Sequence, residues 1–222
     1  MPTASVGMAP ENKTNNPEQS IMDFAVAVTT APRPIPTLER TLASLRRAGF
    51  DEVRVVDDLL HDGAWSNWLF AVRTLLAERP AADALLVCQD DIVCCRGLRA
   101  HLDRTLWPDG PVAVCSPYCP APYRHDRQGW HRQRRGWYLV GALCWAMPRA
   151  AAEAILCDLG QVEARSRVDA RVGQWAKWTR HSVWYHTPSL VQHTGNGNSA
   201  LGDKLENELR RAVDFIGEDT WP

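Results

Sequence analysis

Apolar residues along this chain fall into short unbroken runs and helical stripes that alternate, with turn formers between them. Phe24-Ala-Val-Ala-Val-Thr29 is a β-prone run, stopped by Thr30-Ala-Pro-Arg-Pro34, whose prolines bar both strand continuation and an early helix. Thr37 then stands as a cap, Leu38, Thr41, Leu42 and Leu45 form one stripe, and Gly49 closes a helix. Val53 to Val56 predicts a second strand that runs straight into Asp57 and Asp58. Strand, helix and strand in so short a span make a βαβ unit with parallel strands. Asn67 to Glu78 repeats the helical spacing through Trp68, Ala71 and Leu75 until Pro80, and Ala84 to Cys88 is continuous enough for a strand buried on both faces.

The same reading continues to the C-terminus. Leu98 to Leu106 predicts a short helix, Val112 to Ser116 a strand, and Tyr138 to Met147 a β-compatible stretch, after which Pro148 opens a helix through Leu159. Asp169 to Trp178 predicts a helix and Val183 to His186 a strand. Leu205 to Ile216 predicts an amphipathic helix with Leu205, Leu209, Ala212, Val213 and Ile216 on one face. Strands alternating with helices predict an α/β fold, a mostly parallel central sheet flanked by helices. Two stretches stand outside this pattern. Residues 1 to 20 have little to bury and are expected to be a disordered leader, leaving 21 to 222 as a single domain. Tyr118 to Trp137 dissolves into Pro, Arg, His, Gly and Trp, a loop of the length that usually serves function.

Composition narrows the class more than the chemistry. With 222 residues, 45% of them hydrophobic, the chain can bury a full core, and a formal net charge of -1 gives no general attraction to nucleic acid or membrane. No apolar run approaches the about 18 residues needed to cross a bilayer, and Met1 to Ser20 has no apolar signal core, so a soluble, cytoplasmic protein without a transmembrane segment is expected. Seven cysteines, mostly within apolar runs, suit buried thiols in a reducing compartment. Cys115 and Cys119 lack the second pair that structural zinc requires. Ten tryptophans serve either as core filler or as faces for stacking sugars or bases.

The candidate chemistry lies just beyond the first three strands, at Thr30 to Arg33, at Asp57 and Asp58, and at Gln89-Asp90-Asp91. On a parallel sheet these clusters share one edge, and α/β sheets bind ligands beyond the carboxyl ends of their strands. Asp90 and Asp91 are adjacent carboxylates between Cys88 and Ile92, costly to desolvate unless a cation or hydrogen bonds hold them. A divalent metal is the candidate, and a solvated turn or helix cap is the alternative. The arrangement suits a nucleotide, with Thr30, Arg33, Asp57 and Asp58 toward base and ribose and the third cluster toward a metal on the diphosphate. An Asp turn explains Asp57 and Asp58 as well. No GxGxxG or GxxxxGK loop follows the first strand, which argues against dehydrogenases and P-loop enzymes.

Two motifs together resemble a family. Gln89-Asp90-Asp91 stands where glycosyltransferases of the Rossmann-like GT-A fold carry an Asp-x-Asp motif. Thr187-Pro-Ser-Leu-Val-Gln-His-Thr-Gly-Asn-Gly-Asn-Ser-Ala-Leu-Gly202 resembles the Pro-Ser-Leu-x-Gln-His-x-Gly-x-x-Ser-x-Leu stretch of the N-acetylglucosaminyltransferase IV group and related bacterial enzymes. The resemblance spans most of Phe24 to Gly202. It implies a nucleotide-sugar donor, with UDP as the nucleotide, inverting transfer to a hydroxyl of a glycan or other acceptor, and a divalent cation, Mn²⁺ or Mg²⁺. It further implies Asp91 and His193 as metal ligands, Gln89 and Asp90 beside the donor, and Asn198 and Ser199 on the diphosphate. At the motif's first position Gln89 must do by hydrogen bonding what an acid does elsewhere.

The resemblance also implies a general base at the head of a late helix. Asp169 fits that place, with Glu163 as its competitor and a plain helix cap as the other reading. The loop from Arg124 to Trp137 holds five Arg, two His, one Asp and two Trp, and Trp130 and Trp137 are its acceptor-stacking candidates. Two rival functions remain in view. A metal-dependent nucleotidyltransferase shares the acidic strand end but needs a glycine-rich first loop, which Thr30 to Pro34 lacks. A non-catalytic nucleic-acid or carbohydrate binding module would use the Arg and Trp loop. On the transferase reading no nucleic acid partner is expected.

Overall fold

The computed structural model describes residues 21–59, 62–133, 139–162, 167–195 and 210–222. Alternation within the apolar runs sets the architecture. In β1 (Phe24–Thr30), Phe24, Val26 and Val28 enter one core cluster while Ala25 and Ala27 enter the other. In β3 (Ala84–Gln89), Leu86 and Cys88 face the first cluster and Leu85 and Val87 the second. Side chains alternate across a strand, so a run apolar at every position is a strand covered on both faces. The cover on the first face is α1 (Leu38–Arg47) and α3 (Leu98–Thr105), through Leu42, Leu45, Leu98 and Leu102. On the second face lie α2 (Gly63–Glu78), α4 (Arg149–Cys157) and α5 (Val168–Thr179), which contribute Trp68, Leu75, Ile155, Val172 and Trp175. The small Ala25 and Ala27 belong to the same cluster as Trp68, whose ring lies 6.1 Å from that of Trp145.

The remaining strands are β2 (Arg54–Asp57), β4 (Ile92–Cys94), β5 (Val112–Ser116), β6 (Gly129–Arg132), β7 (Cys144–Pro148), β8 (Ser182–Thr187) and β9 (Val191–His193). Of the nine strands among the described residues, seven form one sheet in the order β2-β1-β3-β7-β5-β8-β6, with β6 and β7 running against the other five. The α/β expectation therefore holds, a mostly parallel central sheet flanked by helices. A separate antiparallel ladder joins β4 to β9.

Three expectations need correction. Tyr138 to Met147 forms a strand only from Cys144, because the backbone of Val140 is bonded to the Tyr185 hydroxyl and the Gly141 N–H to Asp169. Tyr118 to Trp137 is not loop throughout, since it holds β6, the edge partner of β8. In the tail, Arg210 to Ile216 forms turns rather than helix, while 205–209 lie outside the described residues. Its polar groups are spent elsewhere: Gln192 bonds both the N–H and the carbonyl of Ala212, and Ile216 N–H donates to Ser189. Side-chain and long-range partners have replaced the helical ladder.

Helix α1 holds the edge of the sheet through two buried hydroxyls. Thr41 Oγ1 lies 2.8 Å from the Asp90 carbonyl and 2.9 Å from that of Ile92, and it accepts the Ile92 N–H. Ser44 Oγ accepts the Cys94 N–H at 2.8 Å. These contacts fix the backbone of the whole Asp90 to Cys94 segment. Thr41→Val keeps the shape of the side chain and strands its buried partners, so it is expected to lower unfolding free energy by about 1–3 kcal/mol in urea denaturation.

Candidate active site

The turn between β3 and β4 presents Asp90 and Asp91 at the carboxyl edge. Asp90 N–H donates to the Thr29 carbonyl at 3.1 Å, which ties the turn to the end of β1. On the other side, the Asp91 carbonyl accepts the Thr194 N–H at 2.7 Å, and the β4–β9 register sets His193 opposite Ile92. That ladder delivers the imidazole. His193 Nε2 sits 3.2 Å from Asp91 Oδ2, with both side chains buried. Gly195 passes so close that a Cβ there would lie 2.6 Å from Asp91 Oδ2 and 2.9 Å from His193 Nε2, so any larger residue displaces one of them.

Arg33 closes the group from the β1 side. Its Nη2 reaches Asp90 Oδ1 at 2.5 Å and its Nη1 reaches Asp91 Oδ2 at 2.9 Å. The Thr30 hydroxyl donates to Asp90 Oδ2 at 2.6 Å. Electrostatics separate the two acids. Burial pushes the Asp90 carboxyl above its ordinary value, and the negative charge of Asp91 adds to that, with Thr30 and Arg33 opposing. Burial also disfavours ionised Asp91, but the hydrogen bond and charge of His193, with those of Arg33, outweigh it and hold that carboxyl below the usual range.

A divalent ion needs several donors converging on one point. Asp91 Oδ1 is buried with no hydrogen-bond partner among the described residues, which is a donor atom of the right kind. Against this, Arg33 already spans the two carboxylates, and among the described residues no group of three His, Cys, Asp or Glu side chains forms a metal-holding cluster. In this arrangement the residues do not fit a divalent ion.

The other predicted residues divide clearly. Asp58 accepts the Asp62 and Gly63 N–H groups with its carboxylate and so fixes the entry to α2, which is the Asp-turn reading. Asp57 is exposed at the end of β2. Gln89 ends β3, its N–H donating to the Leu143 carbonyl. Asn198 and Ser199, with Glu163 and Trp137, lie outside the described residues. Asp169 lies in the first turn of α5 and reaches the same edge of the sheet: Oδ2 accepts the Gly141 N–H at 3.1 Å, in the segment that leads into β7 beside Gln89. No direct bond joins it to the Asp90 and Asp91 group among the described residues.

One residue was missed. Asn67 is buried in α2 and donates to the Thr30 carbonyl at 3.0 Å, which also receives the Asp58 N–H. Its signal is a polar residue on the apolar stripe Asn67, Ala71, Leu75.

Toward β6 lies a half-open cavity of about 550 Å³ whose walls include Tyr123, Arg124, His125, Arg132, Trp184 and Tyr185. Tyr185 connects it to the edge, since its hydroxyl bonds the backbone of Val140, next to the Gly141 that holds Asp169. Trp130 lines this cavity but is already committed: its indole N–H donates to Thr105 Oγ1 and its ring meets His186 edge-on.

No protein-family model matches the chain, and no curated protein matches its sequence. Solved structures do match its shape. One is a glycosyltransferase involved in the glycosylation of the major capsid of PBCV-1, with a TM-score of 0.49 and 9% identity, over 74% of this chain and 83% of that one. Another is A197 from STIV, with a TM-score of 0.47 and 11% identity over 77% and 84%. A third is the apo-form glycosyltransferase GlyE in Streptococcus pneumoniae TIGR4, with a TM-score of 0.39 and 15% identity, over 71% of this chain and 44% of that one. Two of the three are glycosyltransferases by name. At these scores and identities the likenesses do not bear on function. No helix among the described residues is long and apolar enough to cross a membrane.

The histidine pair behind Trp130 makes a test of this wall of the cavity. His186 Nδ1 lies 2.8 Å from the Pro188 carbonyl and so carries the proton, which leaves Nε2 to accept from His101 at 3.0 Å. Burial lowers His101 from 6.5 to about 4, with the charges of His186 and Arg104 adding to it. Burial also lowers His186 against the opposing hydrogen bond to the Pro188 carbonyl, and His131 pushes it further down while Asp214 opposes. The folded chain thus keeps His101 neutral where the unfolded chain protonates it, and stability falls as pH drops from 6.5 toward 4. His101→Gln is expected to flatten the pH dependence of the urea midpoint across that window.

Proposed function

We propose that this chain is a glycosyltransferase that moves a sugar from a nucleotide-sugar donor, UDP-linked by the resemblance of its motifs, to an acceptor hydroxyl with inversion. The observation that carries the reading is the strand-end pair Asp90 and Asp91, met by Arg33 from β1 and by His193 from β9 on the edge that also holds Asp169. The donor belongs at the β1–β3 side, with its diphosphate near Arg33. The acceptor belongs on the side of Asp169 and the Tyr185 cavity, where Tyr123 and Trp184 offer ring faces and Arg124 and Arg132 offer charge.

In this mechanism the acceptor oxygen attacks the anomeric carbon from the face opposite the diphosphate. Its proton passes to a carboxylate oxygen of Asp169, and the bond from the anomeric carbon to the phosphate oxygen breaks with its electron pair leaving on the nucleoside diphosphate. The new negative charge develops beside the Arg33 guanidinium. Bonds from the Gly141 and Ala170 N–H groups fix how Asp169 points, and holding both substrates in line supplies much of the remaining rate. The absence of glycine from the Thr30 to Pro34 loop disfavours the nucleotidyltransferase rival.

The test is transfer from a panel of UDP-sugars, followed by UDP release, with binding of UDP measured separately. Asp169→Asn is expected to lower kcat by about 10²–10⁴-fold while UDP affinity stays within about twofold of wild type. Unchanged turnover in that variant rules out Asp169 as the base, and the absence of UDP binding to the wild type rules out the donor.

A further inference from the structure

We propose that Arg33 is this site's own cation: its guanidinium takes the place of a divalent metal between Asp90 and Asp91, competes with such an ion, and lets the chain bind a nucleoside diphosphate without one. Its position between the carboxylates stands on the geometry, while its role toward the diphosphate rests on the transferase reading above.

Geometry is the first support. Arg33 sends one nitrogen to each carboxylate, Nη2 to Asp90 and Nη1 to Asp91, so its planar fork occupies the place between the two acids where an ion would otherwise sit. The side chains of Arg33, Asp90 and Asp91 are 8%, 2% and 7% exposed, so water screens little of this interaction. An added divalent ion meets a fixed positive charge at contact distance, in surroundings where repulsion is stronger than in water.

The charge count is the second. Gln89 is neutral where the resembled motif has an acid, so the acids that end β3 here are the adjacent pair Asp90 and Asp91, both in contact with Arg33. Arg33 balances one of them, and His193 Nε2 packs 3.2 Å from Asp91 Oδ2. Gln89 and Arg33 together leave less negative charge here for a divalent ion to meet.

The third is preorganisation. Arg33 stands between Pro32 and Pro34, which restrict the backbone on both sides of it. Just before it, Thr30 is tied down at both its polar ends, with the hydroxyl on Asp90 and the carbonyl on Asn67 and the Asp58 N–H. The arm is aimed before any ligand arrives.

The fourth is what remains unpaired. Arg33 Nε and Asp91 Oδ1 are both buried without hydrogen-bond partners among the described residues. Buried polar groups of this kind cost stability unless a ligand completes them. The N–H suits a phosphate oxygen and the carboxylate oxygen suits a sugar hydroxyl, which together describe a sugar diphosphate.

The experiment titrates the full chain by calorimetry with Mn²⁺ alone, and with UDP in EDTA or in Mn²⁺. The wild type is expected to take up Mn²⁺ only in the millimolar range and to bind UDP equally well in either buffer. Arg33→Gln is expected to tighten Mn²⁺ by about tenfold or more and to weaken UDP in EDTA by a similar factor. Arg33→Lys keeps the charge, guards against a folding failure of the Gln variant, and is expected to leave Mn²⁺ weak. Micromolar Mn²⁺ binding by the wild type, UDP binding that requires Mn²⁺, or an Arg33→Gln variant with unchanged or weaker Mn²⁺ affinity each overturn the proposal. If UDP binds under no condition the transferase reading falls, and the Mn²⁺ titrations still decide what occupies the cation position.

Discussion

Burying two adjacent carboxylates at the end of a central strand is the constraint that the rest of this structure answers. An unpaired buried charge costs several kcal/mol, and removing one partner from a buried pair costs about 3–5 kcal/mol. Asp90 and Asp91 therefore require partners from elsewhere in the chain, and three separate segments supply them: Thr30 at the end of β1 with Arg33 just after it, His193 at the end of β9, and Thr41 of α1 for the backbone of the turn. The small ladder of β4 and β9 exists at this point and holds the late segment in register with the acids. Gly195 is part of the same fit, since a Cβ there collides with both Asp91 and His193.

The sheet sets how far apart the proposed donor and acceptor regions lie. β1 and β3 end at the acid pair, whereas β8 and β6 flank the cavity, and β7 and β5 stand between them. Reversal of β7 bridges the gap. Because it runs against β3, its incoming segment passes along the carboxyl edge, where Gly141 receives Asp169 and Val140 receives Tyr185. A parallel strand in that place would carry its C-terminal connection there instead. The candidate base, the cavity wall and the end of β3 are linked through this one segment.

Much of the frame was legible in the residues because both faces of the sheet are covered. Phe24 to Thr29, Val112 to Ser116 and Ala84 to Cys88 are unbroken apolar runs, and α1, α2 and α5 begin and end close to their stripes and turn residues. The strand-end placement of Asp90 and Asp91 follows from the same pattern. Other features were beyond reach because their signal is not local. β4, β6 and β9 span only three or four residues each, too few to show a period, and they form because partner strands present matching backbone groups. The tail shows an amphipathic pattern at Ala212, Val213 and Ile216, yet Gln192 and Ser189 take its hydrogen bonds and it forms turns.

The chemistry of the edge divides in the same way. Local sequence determined that two carboxylates end β3, that Arg33 lies between two prolines after β1, and that Asp169 heads a helix, since each depends on neighbours within a few residues. Only the tertiary structure decided that Arg33 reaches both carboxylates and that the buried Asn67 fixes Thr30. The reason is physical. Which charge partners which buried acid is settled by distances across the fold, and no pattern along the chain encodes a salt bridge between residues 57 or 58 positions apart.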